Sequence, residues 1–198
     1  MKKLLRAAAL CGLVAPILAY ACILLAVASY APFSWTENAL SDLGVQAGVT
    51  AWVFNVGLVA AGLLFLAFSF GLFRLLGKRL VGRVGSVALA LACISLVCIG
   101  VFNESFGRLH YYVSVAFFVL MPIAMLVLTV GLWVSGQRGL SVFTFALALA
   151  AAVPWVLQFT VRYVPNVAVP EFVSGLAGSI WTGVLAVKML KASDSEQR

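Results

Sequence analysis

Apolar residues in this chain come in long unbroken runs, and polar residues come in short clusters between them. Six runs stand out, over residues about 7–29, 49–72, 84–102, 111–134, 140–161 and 168–190. Each is close to the roughly 20 residues that a helix needs to cross the hydrocarbon of a bilayer. A transmembrane β-barrel would alternate polar and apolar positions in segments of about 10 residues, and the runs here are continuous. The pattern predicts an all-α, polytopic membrane protein, a bundle of six transmembrane helices, with residues 1–198 forming a single integral membrane domain. The first run follows "MKKLLR" and so starts like a signal peptide, but it is longer than the roughly 7–15 residues of a signal h-region. A retained first helix is expected. The last residues, "KASDSEQR", are polar and expected to fray.

Charge gives the bundle a direction. Lys2, Lys3 and Arg6 precede the first run, and Arg74, Lys78, Arg79 and Arg83 lie between the second and third. Arg138 lies between the fourth and fifth, and Lys188, Lys191 and Arg198 close the chain. In an alternating bundle these clusters share one side, and they hold eleven of the 13 basic residues, leaving Arg108 and Arg162 opposite. Lysine and arginine collect on the cytoplasmic side of membrane proteins. Both termini are therefore expected in the cytoplasm and the protein in the cell membrane. Glu37, Asp42, Glu104 and Glu171 sort to the outer side, Asp194 and Glu196 to the inner.

Composition agrees: 64% of residues are hydrophobic and 10% charged, against about 45–50% and 25% in soluble domains. The net charge of +7 is accordingly read as membrane orientation, and no nucleic-acid partner is expected. Cys11, Cys22, Cys93 and Cys98 all sit inside apolar runs without zinc-site spacing; no metal site and no cofactor are expected.

Two features bear on packing. The sixth run carries small residues at four-residue spacing, in the rows Ser174, Gly178, Thr182 and Gly175, Ser179, Gly183, which let helix backbones approach closely. Pro122 and Pro154 fall inside the fourth and fifth runs, where each removes a backbone hydrogen bond. Pro154, Gln158 and Arg162 are spaced to share a helix face.

Polar residues at membrane depth are costly and each is a candidate for function. Those on the outer side are Ser41 and Asp42 in "ENALSDLG", then Asn55, then Asn103, Glu104, Arg108 and His110 in "FNESFGRLH", then Gln158, Arg162 and Glu171. All ten are candidate ligand-binding residues. Each also has a plainer role open to it. Ser41 or Asp42 can cap a short interfacial helix, Glu104 and Arg108 can form an ion pair, and His110 can cap the fourth helix. Glu171 can sit against the positive N-terminus of the sixth, while Asn55 and Gln158 can bond helices together. If the bundle brings Asp42, His110 and Glu171 together, a histidine beside carboxylates can move a proton, and these three are the candidate catalytic residues. No metalloprotease, serine-hydrolase or phosphate-loop motif occurs. No nucleophile stands out, Ser41 beside Asp42 coming nearest.

The chain resembles the DUF998 family of prokaryotic six-helix membrane proteins of unknown function. The resemblance rests on "NALSDLG" before the second run with Phe54 and Asn55 inside it, on "GVFNESFGRLH", and on Pro170, Glu171 and Trp181 in the sixth run. Through that family the layout is distantly similar to the Frag1/DRAM/Sfk1 group, which has a comparable Ser-Asp-x-Gly loop and a histidine opening the fourth helix. That similarity implies a role connected with lipids and supplies no catalytic residue.

Three functions compete. A lipid-handling protein would gather the outer polar residues at a pocket open sideways to membrane lipids. A small transporter or flippase would carry an internal repeat and polar residues near the midplane. A structural or assembly subunit would use its small-residue faces for a membrane-protein partner or a second copy of itself.

Overall fold

The computed structural model describes residues 2–77 and 79–195; Lys78, Glu196 and Arg198, used above to read charge, lie outside the described residues, as does the side chain of Asp194. Six helices account for most of the chain: α1 (Lys2–Ala28), α2 (Val49–Leu76), α3 (Leu80–Val101), α4 (Arg108–Val134), α5 (Arg138–Val161) and α6 (Ala168–Ser195). All six are long and apolar enough to cross a membrane; the chain is a multi-pass membrane protein. Two short 3-10 helices, Leu40–Val45 and Glu104–Phe106, lie in the connections.

The helices overrun the apolar runs mainly at their basic ends. α1 starts at Lys2, α2 continues through Arg74 to Leu76, α3 starts at Leu80 and α6 runs to Ser195. Hydrocarbon ends where the charges begin, but the backbone ladder does not, because Lys and Arg are good helix formers. α1 also contains Pro16, a third helical proline beside Pro122 and Pro154.

Each helix packs on its neighbours in sequence, and α6 returns to pack on α1. The result is a closed up-and-down ring. Large apolar side chains such as Ile17, Trp52, Val156 and Phe159 point out of the ring, into membrane lipid. Inside, one core cluster is built on Phe68, Met125, Leu128 and Trp181, and a second, nearer the loops, on Leu43, Phe54, Leu58 and Ile99.

Hydrogen bonds between helices come from small hydroxyl side chains that reach a neighbour's carbonyl. Ser141 donates to the Thr129 carbonyl at 2.7 Å, Ser174 to Ala151 at 2.6 Å, and Tyr20 to Phe172 at 2.7 Å. The Trp181 indole donates to Thr144 at 3.1 Å, which satisfies the one polar atom of a side chain otherwise buried in the core.

Of the two small-residue rows of α6, the first is the packing face: Ser174, Gly178 and Thr182 are all buried, and a Cβ on Gly178 would come 2.6 Å from the Met121 sulfur. In the second row Gly175 abuts Tyr20, whereas nothing lies within 4 Å of a Cβ on Gly183. Helices α2 and α3 also approach closely. There a Cβ on Gly100 would come 2.6 Å from the Asn55 carbonyl oxygen, a backbone atom that no rotamer change can move. Gly100→Ala should therefore lower stability by about 1–3 kcal/mol, as overpacking does. Gly183→Ala should stay within about 0.5 kcal/mol. Thermal unfolding of both variants in detergent micelles checks the pair.

Candidate functional site

The three longer connections, 29–48, 102–107 and 162–167, meet at one end of the ring. They are knitted by backbone bonds, Asn166 N–H to the Thr36 carbonyl at 2.9 Å and Ala168 N–H to the Asn38 carbonyl at 3.0 Å. The Asn166 amide adds a bond to the Glu37 carbonyl at 2.9 Å.

The segment Ala39–Gly44 organises the rest. Ser41 donates its hydroxyl to Glu104 Oε1 at 2.6 Å. Asp42 Oδ2 accepts from the Asn38 amide at 2.7 Å and from the Ala39 N–H at 3.0 Å, capping the 3-10 helix. Leu43 is fully buried. The Gly44 carbonyl accepts from Asn55 at 2.7 Å and from Asn103 at 3.2 Å. Gly44 has to lack a side chain, since a Cβ there would come 2.6 Å from Asn55 Oδ1. Asn55 and Asn103 thus act as clamps on a loop, which is the bonding role open to Asn55 from the sequence, aimed at a loop carbonyl in place of a helix.

Glu171 stands in the first turn of α6, 9% exposed, and its Oε2 accepts the Leu40 N–H at 2.6 Å. His110, 8% exposed, places Nδ1 2.7 Å from the Phe102 carbonyl. A carbonyl only accepts, so Nδ1 carries the proton. The other ring nitrogen, Nε2, lies 3.3 Å from the Ser114 hydroxyl. His110 therefore holds the end of α3 against α4; it does not cap α4.

Three expected arrangements are replaced. Glu104 and Arg108 are not on one helix: Gly107 between them takes φ +54°, breaking the chain into a 3-10 turn and α4. The Glu104 carboxylate turns to Ser41 and Arg108 is exposed. Likewise Arg162 has left α5 in a left-handed conformation, φ 48°, and is exposed, while Gln158 is buried. Gln158 donates to the Val164 and Asn166 carbonyls at 2.9 and 3.3 Å, so it fixes the α5–α6 connection and shares no face with Arg162.

Asp42, His110 and Glu171 do meet. With Ser41 and Glu104 they line the polar end of a cavity of about 660 Å³, within the range of roughly 300–1,000 Å³ typical of ligand pockets. Its other wall is apolar and comes from α4 and α5: Tyr111, Val115, Phe118, Val119, Trp155 and Phe159. Asn55, Asn103, Arg108, Gln158 and Arg162 are not on its wall. On α4 the pocket follows two rows at helical spacing, His110–Ser114–Phe118 and Tyr111–Val115–Val119. Tyr111, Val115, Val119 and Phe159 are exposed on the outside of the ring, so the pocket opens sideways between α4 and α5. Val119 lies eleven residues below the start of α4, about 16 Å at 1.5 Å per residue, which is close to half of a hydrocarbon core of about 30 Å. A second, apolar cleft of about 100 Å³ runs inside the ring and shares Ser41, Ser114, Phe118 and Glu171 with the lateral pocket.

The family model of DUF998, proteins of unknown function, matches residues 13–188. The chain belongs to the DUF998 family. No curated protein and no solved structure matches it.

In this DUF998 protein the aromatic wall and Ser114 escaped sequence reasoning. Ser114 was visible one turn after His110, and Trp155 and Phe159 sit one turn apart beside Pro154. Aromatic residues at a membrane boundary are ordinary enough that only the geometry separates these from their neighbours.

Burial pushes the Glu104 carboxyl above the ordinary carboxylate range; the Ser41 bond pulls it back, the Asp42 carboxylate beside it pushes it up again, and His110 lowers it slightly. A carboxyl raised by folding stabilises the native state below its unfolded pKa, and that contribution is lost as pH rises through the folded pKa. Stability should therefore fall as pH climbs out of the ordinary carboxylate range. Glu104→Gln should flatten this part of the melting-temperature profile, and Ser41→Ala, which removes a bond to the ionised form, should move the fall to higher pH. Melting temperatures between pH 4 and 8 check both signs.

Proposed function

We propose that this DUF998 protein binds a single lipid-like amphiphile in the lateral pocket between α4 and α5. The observation that carries the reading is the shape of the cavity: polar groups at the loop end, an apolar wall about one leaflet deep, and an opening toward lipid. A soluble ligand needs no such groove. The inner cleft, at about 100 Å³, is smaller than the roughly 150 Å³ cavity that takes one benzene ring, so the ligand's chain lies in the groove and not inside the ring. The same size argument weighs against a transport path through the ring.

The basic helix ends at the opposite pole, Lys2, Lys3, Arg6, Arg74, Arg79, Arg83, Arg138, Lys188 and Lys191, support an orientation with both termini in the cytoplasm of a cell membrane. The pocket then faces the outer leaflet, and the chain works as one integral membrane domain. His110 beside Glu104 and Asp42 supports a step of proton movement on the bound headgroup as a second reading.

The reading is tested by mass spectrometry of lipids that copurify with the protein. Wild type should carry one lipid class enriched over the bulk membrane extract, and Val119→Trp, which fills the groove, should lose that enrichment while keeping the wild-type melting temperature. A wild-type lipid profile equal to the bulk extract overturns it. For orientation, the four native cysteines are replaced and a single cysteine introduced. In intact cells a membrane-impermeant maleimide should label Thr36→Cys and leave Arg138→Cys unlabelled.

A further inference from the structure

The lining of the pocket selects for charge. Three carboxylates, Asp42, Glu104 and Glu171, stand at its polar end, and no lysine or arginine lines it. Each carboxylate accepts from the protein: Asp42 at Oδ2, Glu104 at Oε1 and Glu171 at Oε2. The Glu104 and Asp42 carboxyls also bond to each other, and among the described residues Glu171 is held by the Leu40 N–H alone. For Glu171 this is the most telling, because the side chain is nine-tenths buried and lines both the lateral pocket and the inner cleft. A carboxyl oxygen that opens on the pocket is within reach of a donor on whatever fills it.

We infer that the pocket takes an amphiphile with a primary ammonium headgroup, its N–H groups donating to the three carboxyl groups that line the polar end. An ammonium has three donors and no acceptor, which matches a polar end lined by three carboxyl groups. A phosphate or sulfate end group would meet three carboxyls with His110 the one lining side chain able to carry a positive charge. A metal ion would need its ligands within about 2.0–2.6 Å of one point, and among the described residues no three such side chains are grouped to hold one. The aromatic wall is compatible with the same ligand, since Tyr111, Phe118 and Trp155 add faces that attract a cation.

The inference rests on the lateral-pocket reading, and one experiment separates the two. The purified protein in maltoside micelles is titrated with dodecylamine, dodecyl phosphate, dodecanol and soluble ethanolamine, and bound ligand is counted by native mass spectrometry. Dodecylamine should bind at least about tenfold more tightly than the phosphate or the alcohol, as a charge-assisted bond implies. Glu171→Gln, which keeps an acceptor for the Leu40 N–H, should lower dodecylamine binding about tenfold and leave dodecanol binding unchanged. Glu104→Gln should weaken dodecylamine in the same direction, so the result does not depend on one variant folding.

If dodecyl phosphate or dodecanol binds as well as dodecylamine, and Val119→Trp abolishes that binding, the ammonium assignment is overturned and the lateral pocket stands. If ethanolamine binds as tightly as dodecylamine, the pocket takes a soluble amine and the lipid reading fails alone. If no probe binds above the level of Val119→Trp, both fall.

Discussion

Hydrocarbon supplies no hydrogen-bond partner, so the polar groups that this chain takes into the membrane depend on the chain itself, and among the described residues few buried side-chain atoms, the Ser86 hydroxyl and the Trp155 indole N–H among them, are left without one. Helices meet that demand for the backbone. The ring order follows from it: with short connections on one side, α2 to α3 and α4 to α5, successive helices turn straight back on each other, and α6 closes on α1. What remains polar inside the ring is small. Ser141 and Ser174 each find a carbonyl on the neighbouring helix, and Trp181 finds Thr144. The stronger polar groups are displaced to the ends of the helices, where the loops provide donors that the membrane does not.

At the loop end the same rule acts in a different way. Buried backbone N–H groups need acceptors, and the 3-10 turn Leu40–Val45 presents two that no helix ladder can use. The Ala39 N–H goes to Asp42 and the Leu40 N–H to Glu171. The carboxylates are thus structural before they are anything else, and this explains why acidic residues sit at a depth where they are expensive. The Ser-Asp-x-Gly segment divides this work by position. Ser41 reaches α4's approach through Glu104, Asp42 caps its own turn, Leu43 anchors in the core, and Gly44 lets Asn55 come close enough to hold the loop. Asp42, Glu104 and Glu171 make these bonds from the wall of the lateral cavity, so the scaffold and the cavity share the same carboxyl groups.

The six helices were legible because a run of about 20 apolar residues has few other readings and because the short, basic connections leave little freedom in how consecutive helices follow each other. The outer candidates were legible as residues and illegible as partners. That Ser41 would meet Glu104, or Glu171 the Leu40 N–H, depends on pairs 63 and 131 positions apart, and no periodicity encodes such a pairing. Local spacing misled where a helix was assumed to continue: Glu104 and Arg108 are separated by the turn at Gly107, and Arg162 by the end of α5. The apolar half of the pocket was hidden for the opposite reason. Val115, Val119 and Phe159 look like any lipid-facing residues, and what distinguishes them is only that α4 and α5 part beside them.

Those two facts, carboxyl groups shared by scaffold and cavity and helices that part on the lipid side, make the pocket and the loop a single mechanical unit. Ser41 and Glu171 line both the lateral pocket and the inner cleft, and both also hold a neighbouring segment in place. A group that draws on Glu171 therefore acts on the same carboxylate that fixes Leu40, and through Leu40 on the turn that positions Asp42. A group that draws on Glu104 acts on the bond to Ser41 in that turn. On the proposed reading, occupancy of the pocket acts first on residues 39–44 and not on the core around Met125 and Leu128, which shares no wall with the lateral pocket. The inner cleft is the smaller and more apolar of these two cavities, whereas the lateral pocket is lined by both polar and apolar groups and opens sideways.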